Sequence, residues 1–162
     1  VAGADVFLPE LAKYTTAFSI GGSKMGALFG EALVINDPAF KKDFRYHIKQ
    51  RGGMLAKGRL LGIQFETLFA DGLYDEIGRH AVTQAQRIAA GVLAKGYSLF
   101  VDSPSNQVFP ILPRELLQSI ANDFGYAFWQ TYDAENDVVR FCTSWATPPE
   151  IVDALLDSIP AK

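Results

Sequence analysis

From Leu60 to Gly96 the apolar residues keep a helical spacing, and beyond Gly96 they abandon it, so the chain changes its manner of construction at that point. Leu60, Leu61, Phe65, Leu68 and Phe69 carry the period to Asp71-Gly72, where it pauses. Leu73, Ile77, Ala81, Ile88 and Val92 then take it on to Gly96. The spacing predicts one long helix or two, ended by a glycine that accepts the left-handed conformation of a helix terminus.

After Gly96 the pattern predicts short apolar strands at Ser98 to Val101 and Gln107 to Leu112, with the turn-rich Asp102-Ser-Pro-Ser-Asn106 between them. Pro113 is placed to open a helix whose inner face is Leu116, Leu117, Ile120 and Phe124, closed by Gly125. Two β-rich runs, Tyr126 to Tyr132 and Val138 to Trp145, flank Asp133-Ala-Glu-Asn-Asp137 and read as a hairpin. Thr147-Pro-Pro-Glu150 has the form of a capping box for a last helix with Ile151, Val152, Leu155, Leu156 and Ile159 inside.

Ahead of the long helical period the chain is denser in turns. Leu8 to Tyr14 predicts a short helix, Ala17 to Ile20 a short strand running into Gly21-Gly22, and Glu31 to Ile35 a buried strand. Asn36-Asp37-Pro38 is an N-cap with proline behind it, and Phe40, Phe44 and Ile48 give the helix it starts an apolar face as far as Gly52-Gly53. The order is thus a few α/β elements in 1–36, a helical connector in 37–97, and a small α+β domain in 98–162.

A chain of 162 residues with 49% hydrophobic and 20% charged residues can bury a core without disulfides or metals. Its net charge of -3, with Lys and Arg scattered among Asp and Glu, offers no basic field to nucleic acid or to an anionic membrane. The apolar runs are too short to span a bilayer. Cys142 is the single cysteine and has no internal partner for a disulfide, which fits a reducing cytoplasm. With one Cys and the distant His47 and His80, both inside helical patterns, no metal site is indicated.

The stretch with most chemistry in it is Ser19-Ile-Gly-Gly-Ser-Lys-Met-Gly26, where a lone lysine stands among small residues at the end of an apolar strand. Small neighbours leave room for a ligand, and a lysine amine is a nucleophile when held as a Schiff base. Spacing alone reads Lys24 first as a solvated turn residue. It is no nucleotide phosphate loop, because Met25 stands where Ser or Thr is required.

The segment Ile20-Gly-Gly-Ser-Lys-Met-Gly-Ala-Leu-Phe-Gly-Glu-Ala-Leu-Val-Ile35 resembles the cofactor-lysine segment of the low-specificity threonine aldolases, in the β-eliminating lyase group. The likeness continues through Lys49-Gln-Arg-Gly-Gly-Met-Leu-Ala-Lys-Gly-Arg59, Asn106-Gln-Val-Phe-Pro110 and Val139-Arg-Phe-Cys-Thr-Ser-Trp-Ala146. It implies a pyridoxal-phosphate (PLP) enzyme of fold type I, the aspartate-aminotransferase-like α/β fold. Residues 1–36 are then a remnant of the large cofactor domain, with Val1 part-way through it, and 98–162 the small C-terminal domain.

By the same resemblance Lys24 carries the cofactor, Arg140 grips the substrate carboxylate, and Lys49 is the basic group nearest the cofactor phosphate. From their place in the chain beside Lys24, and not from the resemblance, Ser19, Ser23 and the amides near Gly21 and Gly22 are read as cofactor-binding candidates able to touch the phosphate. A planar guanidinium suits a carboxylate through two parallel hydrogen bonds. Arg140 shares a strand face with Val138 and Cys142, both expected to be covered. The other basic residues around Gly52-Gly53, Arg51, Lys57 and Arg59, read as solvated helix-end cations, a reading as good as the phosphate role for Lys49.

Ser23 and Met25 stand where the family pattern has Thr and Asn, a departure that bears on substrate preference. The implied reaction cleaves the Cα–Cβ bond of a β-hydroxy-α-amino acid, threonine to glycine and acetaldehyde. The implied assembly is a homodimer or homotetramer acting on a small amino acid. Two other readings stand beside it: a β-eliminating lyase on the same scaffold, and a non-catalytic fragment or binding module. These residues alone are expected to show little or no lyase activity, because no phosphate loop, ring-stacking residue or acid for the pyridine nitrogen is recognisable among them.

Overall fold

The computed structural model describes residues 8–162. They fall into two compact units, 8–75 and 76–162. The first seven residues of the expected piece 1–36 lie outside the described residues. The division comes inside the first turn of the helix that starts at Leu73, so the stretch read as a connector, 37–97, is shared between the units.

In the first unit, helix α1 (Leu8–Tyr14) leads into a two-stranded antiparallel sheet of β1 (Ala17–Gly21) and β2 (Glu31–Ile35), in register from Ala17 opposite Ile35 to Gly21 opposite Glu31. Asn36, expected to cap a helix, instead donates its side-chain amide to the carbonyls of Ala12 at 2.9 Å and Thr15 at 2.8 Å. It thereby ties the end of α1 to the exit of β2. Asp37 is the cap, its carboxylate accepting from the Ala39 N–H at 2.8 Å.

What Asp37 caps is only a 3-10 turn, Pro38–Phe40; the helix proper, α2 (Phe44–Gln50), starts beyond Asp43, which sits at φ 55°. Phe40 is therefore not on one helical face with Phe44 and Ile48, as its spacing suggested. The break at Gly52-Gly53 is as expected, with Gly53 N–H returning to the Ile48 carbonyl at 2.9 Å.

Helix α3 (Arg59–Phe69) follows, then a 3-10 turn in which Asp71 (φ 51°) and Gly72 (φ 76°) both take left-handed backbone. That geometry cannot continue a helix, and it settles the long period into two helices. β2 is not buried as its apolar run predicted: Leu33 is 52% exposed. A two-stranded ribbon has no third strand to cover it, and among the described residues only Ile20, Gly22 and Leu68 of this unit are buried.

The second unit is built on α4 (Leu73–Ala94), which buries Ala81, Gln84, Ala85, Ile88 and Val92 at intervals of three and four. Gly96, at φ 88°, ends it in the left-handed conformation, and the Tyr97 N–H bonds back to the Val92 carbonyl at 3.2 Å. Then come β3 (Ser98–Leu99), β4 (Gln107–Val108), β5 (Pro110–Pro113), α5 (Arg114–Ile120), β6 (Ala127–Thr131), β7 (Asn136–Cys142) and α6 (Pro149–Ser158). The sheet is antiparallel and β7 is its hub, pairing β5, β4 and β6. Ile88 and Val92, Leu117 and Ile120, and Val152, Leu155 and Ile159 pack with Val139 and Phe141 in one apolar core.

Two local expectations fail in this unit. Thr147 does not cap α6 as a capping box requires; its hydroxyl accepts from the Ser144 N–H at 2.9 Å. The helix begins after Pro148, which has no side-chain cap, because consecutive prolines preset the backbone of its first turn. Cys142 is exposed, not covered, since it stands at the very end of β7.

The β6–β7 hairpin is locked locally. The Asp133 carboxylate accepts from the backbone N–H of Glu135 and of Asn136, each at 2.8 Å, and these bonds together with one from the Asn136 amide hold its carboxyl below the usual carboxylate range. Arg114 spans the base, donating to both Asp137 oxygens at 3.1 and 3.0 Å.

Helices α4 and α6 meet at Gly91. A Cβ there would lie 2.6 Å from Leu156 Cδ1 and 3.0 Å from Cγ. Gly91→Ala gains about 1 kcal/mol of helix propensity against that clash. Valine gains less and intrudes further, so Gly91→Val is expected to cost about 1–3 kcal/mol. Thermal unfolding checks this, and adding Leu156→Ala, which removes the opposing methyls, should make the valine's further cost small.

Candidate functional site

Lys24 lies on a turn whose shape follows from its glycines. β1 ends at Gly21, Gly22 enters a 3-10 turn of Ser23–Met25, and Gly26 closes it at φ 91°, a conformation a side chain resists. The Gly22 carbonyl accepts from the N–H groups of Met25 at 2.9 Å and Ala27 at 3.0 Å.

Helix α3 seats this turn from beneath. A Cβ on Gly22 would stand 2.7 Å from Phe65 Cζ, 3.0 Å from the Ala27 Cβ and 3.2 Å from the Gly30 carbonyl oxygen. Gln64 accepts from the Leu28 N–H at 2.7 Å and donates to the Leu60 carbonyl at 3.0 Å. Leu61 closes on Gly30, whose φ of 100° also calls for glycine. The Tyr74 hydroxyl donates to the Gly21 carbonyl at 3.2 Å, and burial, with Asp75 nearby, pushes its phenol above the usual value.

The consequence is a pinned backbone with its polar side chains outward. Ser23 and Lys24 are exposed while Gly22 is buried. Among the described residues no hydrogen bond or ion pair engages the Lys24 amine; the three ion pairs join Lys13 to Glu10, Arg87 to Asp153 and Arg114 to Asp137. Sequence reasoning found the turn but missed its supports Gln64, Phe65 and Tyr74. The signal for them was present: two glycines eight residues apart need something packed where their side chains would be.

Gly22→Val is expected to prise the turn off Phe65 at a cost of about 1–3 kcal/mol. Hydrogen exchange at the Met25 and Ala27 amides should quicken by roughly tenfold or more, since 1.4 kcal/mol is a factor of ten when local opening governs exchange. Unchanged protection there would mean the Phe65 contact does not hold the turn.

Lys49 belongs to the same unit as Lys24 but to another element, α2, where it is exposed in the last turn with His47. Its backbone carbonyl accepts from the Gly52 N–H at 3.0 Å. Arg140 belongs to the second unit, on β7 opposite Ala127 of β6. It is half-buried, with Val138 fully buried on its own face of the strand and Val139 and Phe141 turned to the core. Its Nε is shut off from solvent with no hydrogen-bond partner among the described residues. A buried donor left unmade costs about 1–3 kcal/mol, so the arginine is held at some expense. The residues singled out thus gather as Gly22, Ser23 and Lys24 on one turn, with Lys49 on a second element and Arg140 in the other unit.

No protein-family model matches the chain. Among curated proteins it is 30% identical over 142 residues to the low-specificity L-threonine aldolase of a Pseudomonas species, covering 87% of this chain and 40% of that protein. It is likewise 30% identical over 141 residues to the low-specificity L-threonine aldolase of Pseudomonas aeruginosa, over 86% of this chain and 40% of that one. Among solved structures, the threonine aldolase of Leishmania major superposes with a TM-score of 0.87 at 41% identity, over 94% of this chain and 45% of that one. The chain therefore spans about two fifths of the length of the curated relatives it matches. The resemblance read from Ile20 to Ala146 is borne out, and so is the mixed α/β fold it implied.

Proposed function

We propose that this chain, a homologue of the threonine aldolases, is the C-terminal part of a PLP-dependent aldehyde-lyase that cleaves β-hydroxy-α-amino acids, taking threonine to glycine and acetaldehyde. The observation that carries the reading is the Lys24 turn, a rigidly seated loop presenting an exposed, unpartnered amine in a segment that resembles those enzymes.

The residues present fit the attachment of such a cofactor. A primary amine can join the aldehyde of such a ring, and the Ser23 hydroxyl and the small Gly22 beside it offer one further donor and room for the ring. When bound, pyridoxal phosphate supplies an electron sink for the charge left on Cα. In this reading Lys24 Nζ both anchors the cofactor and delivers a proton to Cα of the product. Ser23 and Gly22 would adjoin the cofactor, and Lys49 is the basic residue assigned to its phosphate. Arg140 binds the substrate carboxylate through two donors, which fixes the amino acid's orientation and so selects the bond that breaks.

The same reading makes the working enzyme a cytoplasmic homodimer or homotetramer and leaves residues 1–162 inactive by themselves. Its support is the lone Cys142 and the exposed apolar side chains of Tyr14, Leu28, Tyr46 and Leu60 in the first unit. No helix among the described residues is long and apolar enough to cross a membrane.

The test is product analysis on the complete protein supplied with PLP and L-threonine. Glycine and acetaldehyde in equal amounts support the lyase. A 2-oxo acid with ammonia would make it a β-eliminating enzyme, and no product with no cofactor-linked absorbance would make it a non-catalytic protein.

A further inference from the structure

Among the described residues no acid forms an ion pair with Arg140, and its Nε is buried without a hydrogen-bond partner. What faces its guanidinium is an aromatic ring: Arg140 Cζ lies 5.9 Å from the centre of Trp129. That ring is braced in turn by Phe109, edge-to-face at 5.1 Å between centroids and 70° between planes.

Trp129 reaches Arg140 through an irregularity in the sheet. β6 and β7 pair Ala127 with Arg140 and Phe128 with Val139, but the next pair is Gln130 with Val138. Trp129 is the extra residue, opposite nothing on β7. In a regular ladder residue 129 would pair with Val138, and the residues after it would shift by one. A bulge of this kind redirects a side chain and is found beside functional sites. Here it brings a large ring onto the one cation of β7.

We propose that Trp129 is a positioning residue for carboxylate recognition: its ring occupies one face of the Arg140 guanidinium and leaves the terminal nitrogens to take an amino acid's carboxylate end-on. The proposal rests on the reading of Arg140 as the carboxylate-binding residue. Three observations converge on it. Nε is closed to solvent, so a ligand reaches only the terminal pair. The ring–cation contact favours the charged, planar group in one orientation without neutralising it, as a carboxylate side chain would. Phe109 fixes the ring, so the preference is built in before any ligand arrives.

The test uses the complete, PLP-loaded protein and the variants Trp129→Leu, Trp129→Phe, Arg140→Lys and the double variant Trp129→Leu/Arg140→Lys. Calorimetric binding of glycine, the product that carries the carboxylate but cannot be cleaved, is measured beside KM and kcat for L-threonine. Trp129→Leu is expected to weaken glycine and raise KM by about fivefold, with kcat and PLP affinity little changed. Trp129→Phe, which keeps a ring face, should recover most of the loss. In the Arg140→Lys background, Trp129→Leu should add nothing.

Equal effects of Leu and Phe, or a Trp129→Leu loss that falls on kcat and PLP affinity as much as on KM, would overturn the proposal in favour of a packing role. So would a Trp129→Leu substitution that weakens glycine as much without Arg140 as with it. An Arg140→Lys variant that binds glycine normally defeats the reading of Arg140 and this proposal with it. A normal Trp129→Leu alongside a defective Arg140→Lys defeats this proposal alone.

Discussion

Replacing Lys24 by alanine in the complete protein is expected to abolish the absorbance of covalently held PLP and to reduce threonine cleavage by several orders of magnitude. Loss of a positioned proton-transfer group alone costs about 10²–10⁴-fold, and the covalent anchor is lost with it. The effect should come with almost no change in stability, because Lys24 is exposed and its amine bonds to nothing among the described residues. Substitutions at such surface positions usually fall within about 0.5 kcal/mol. Kinetics and thermal unfolding on one preparation check both halves. A Lys24→Ala protein with undiminished turnover would remove the lysine from the mechanism. A large fall in melting temperature would make its loss of activity a folding defect.

The second large effect is at Arg140. Arg140→Lys keeps the charge but replaces a planar fork by a point donor, so one of two charge-assisted hydrogen bonds to the carboxylate is lost. A bond of that kind is worth about 1.5–3 kcal/mol, which predicts a fall in kcat/KM for threonine of about 10–100-fold. PLP affinity should hold, since the arginine is assigned to the substrate and not to the cofactor. An equal loss of PLP and substrate binding would make Arg140 a structural residue of β7. The magnitudes separate the two variants: Lys24→Ala empties the site of its chemistry, whereas Arg140→Lys leaves chemistry intact and misplaces the substrate.

The parts of this fold that were legible are those whose burial is carried by one element's own spacing. α4 shows its buried face at Ala81, Ala85, Ile88 and Val92, and its glycine stop at Gly96 holds. The turn around Lys24 was legible for the related reason that its glycines are a local demand. Where burial depends on what lies across the sheet, local reading failed. Glu31 to Ile35 has the apolar run of a buried strand, but among the described residues only β1 pairs with it, and Leu33 stays half open. Cys142 follows the alternation of β7 to the covered side, yet the strand ends there and exposes it.

Competition between hydrogen-bond partners explains another miss. Thr147 and Glu150 have the spacing of a capping box, but the Thr147 hydroxyl is already occupied by the Ser144 N–H of the preceding turn. Nothing in the spacing of two residues reports a rival donor. Of the candidate site, the residues that bear the chemistry could be named from sequence and those that hold them could not. Phe65 seats Gly22 from more than forty positions away, and the bulge at Trp129 leaves no mark in composition or period. Supports of this kind are tertiary facts, set by which element packs against which.

Everything proposed for this chain turns on Lys24 being the lysine to which the cofactor is joined, and trapping that bond tests it most directly. The complete protein is loaded with PLP, reduced with borohydride, digested, and the modified peptide identified by mass spectrometry. One pyridoxyl group is expected, on the peptide containing Gly22-Ser23-Lys24-Met25. Modification at Lys49 or at any other lysine, with Lys24 untouched, would contradict the assignment.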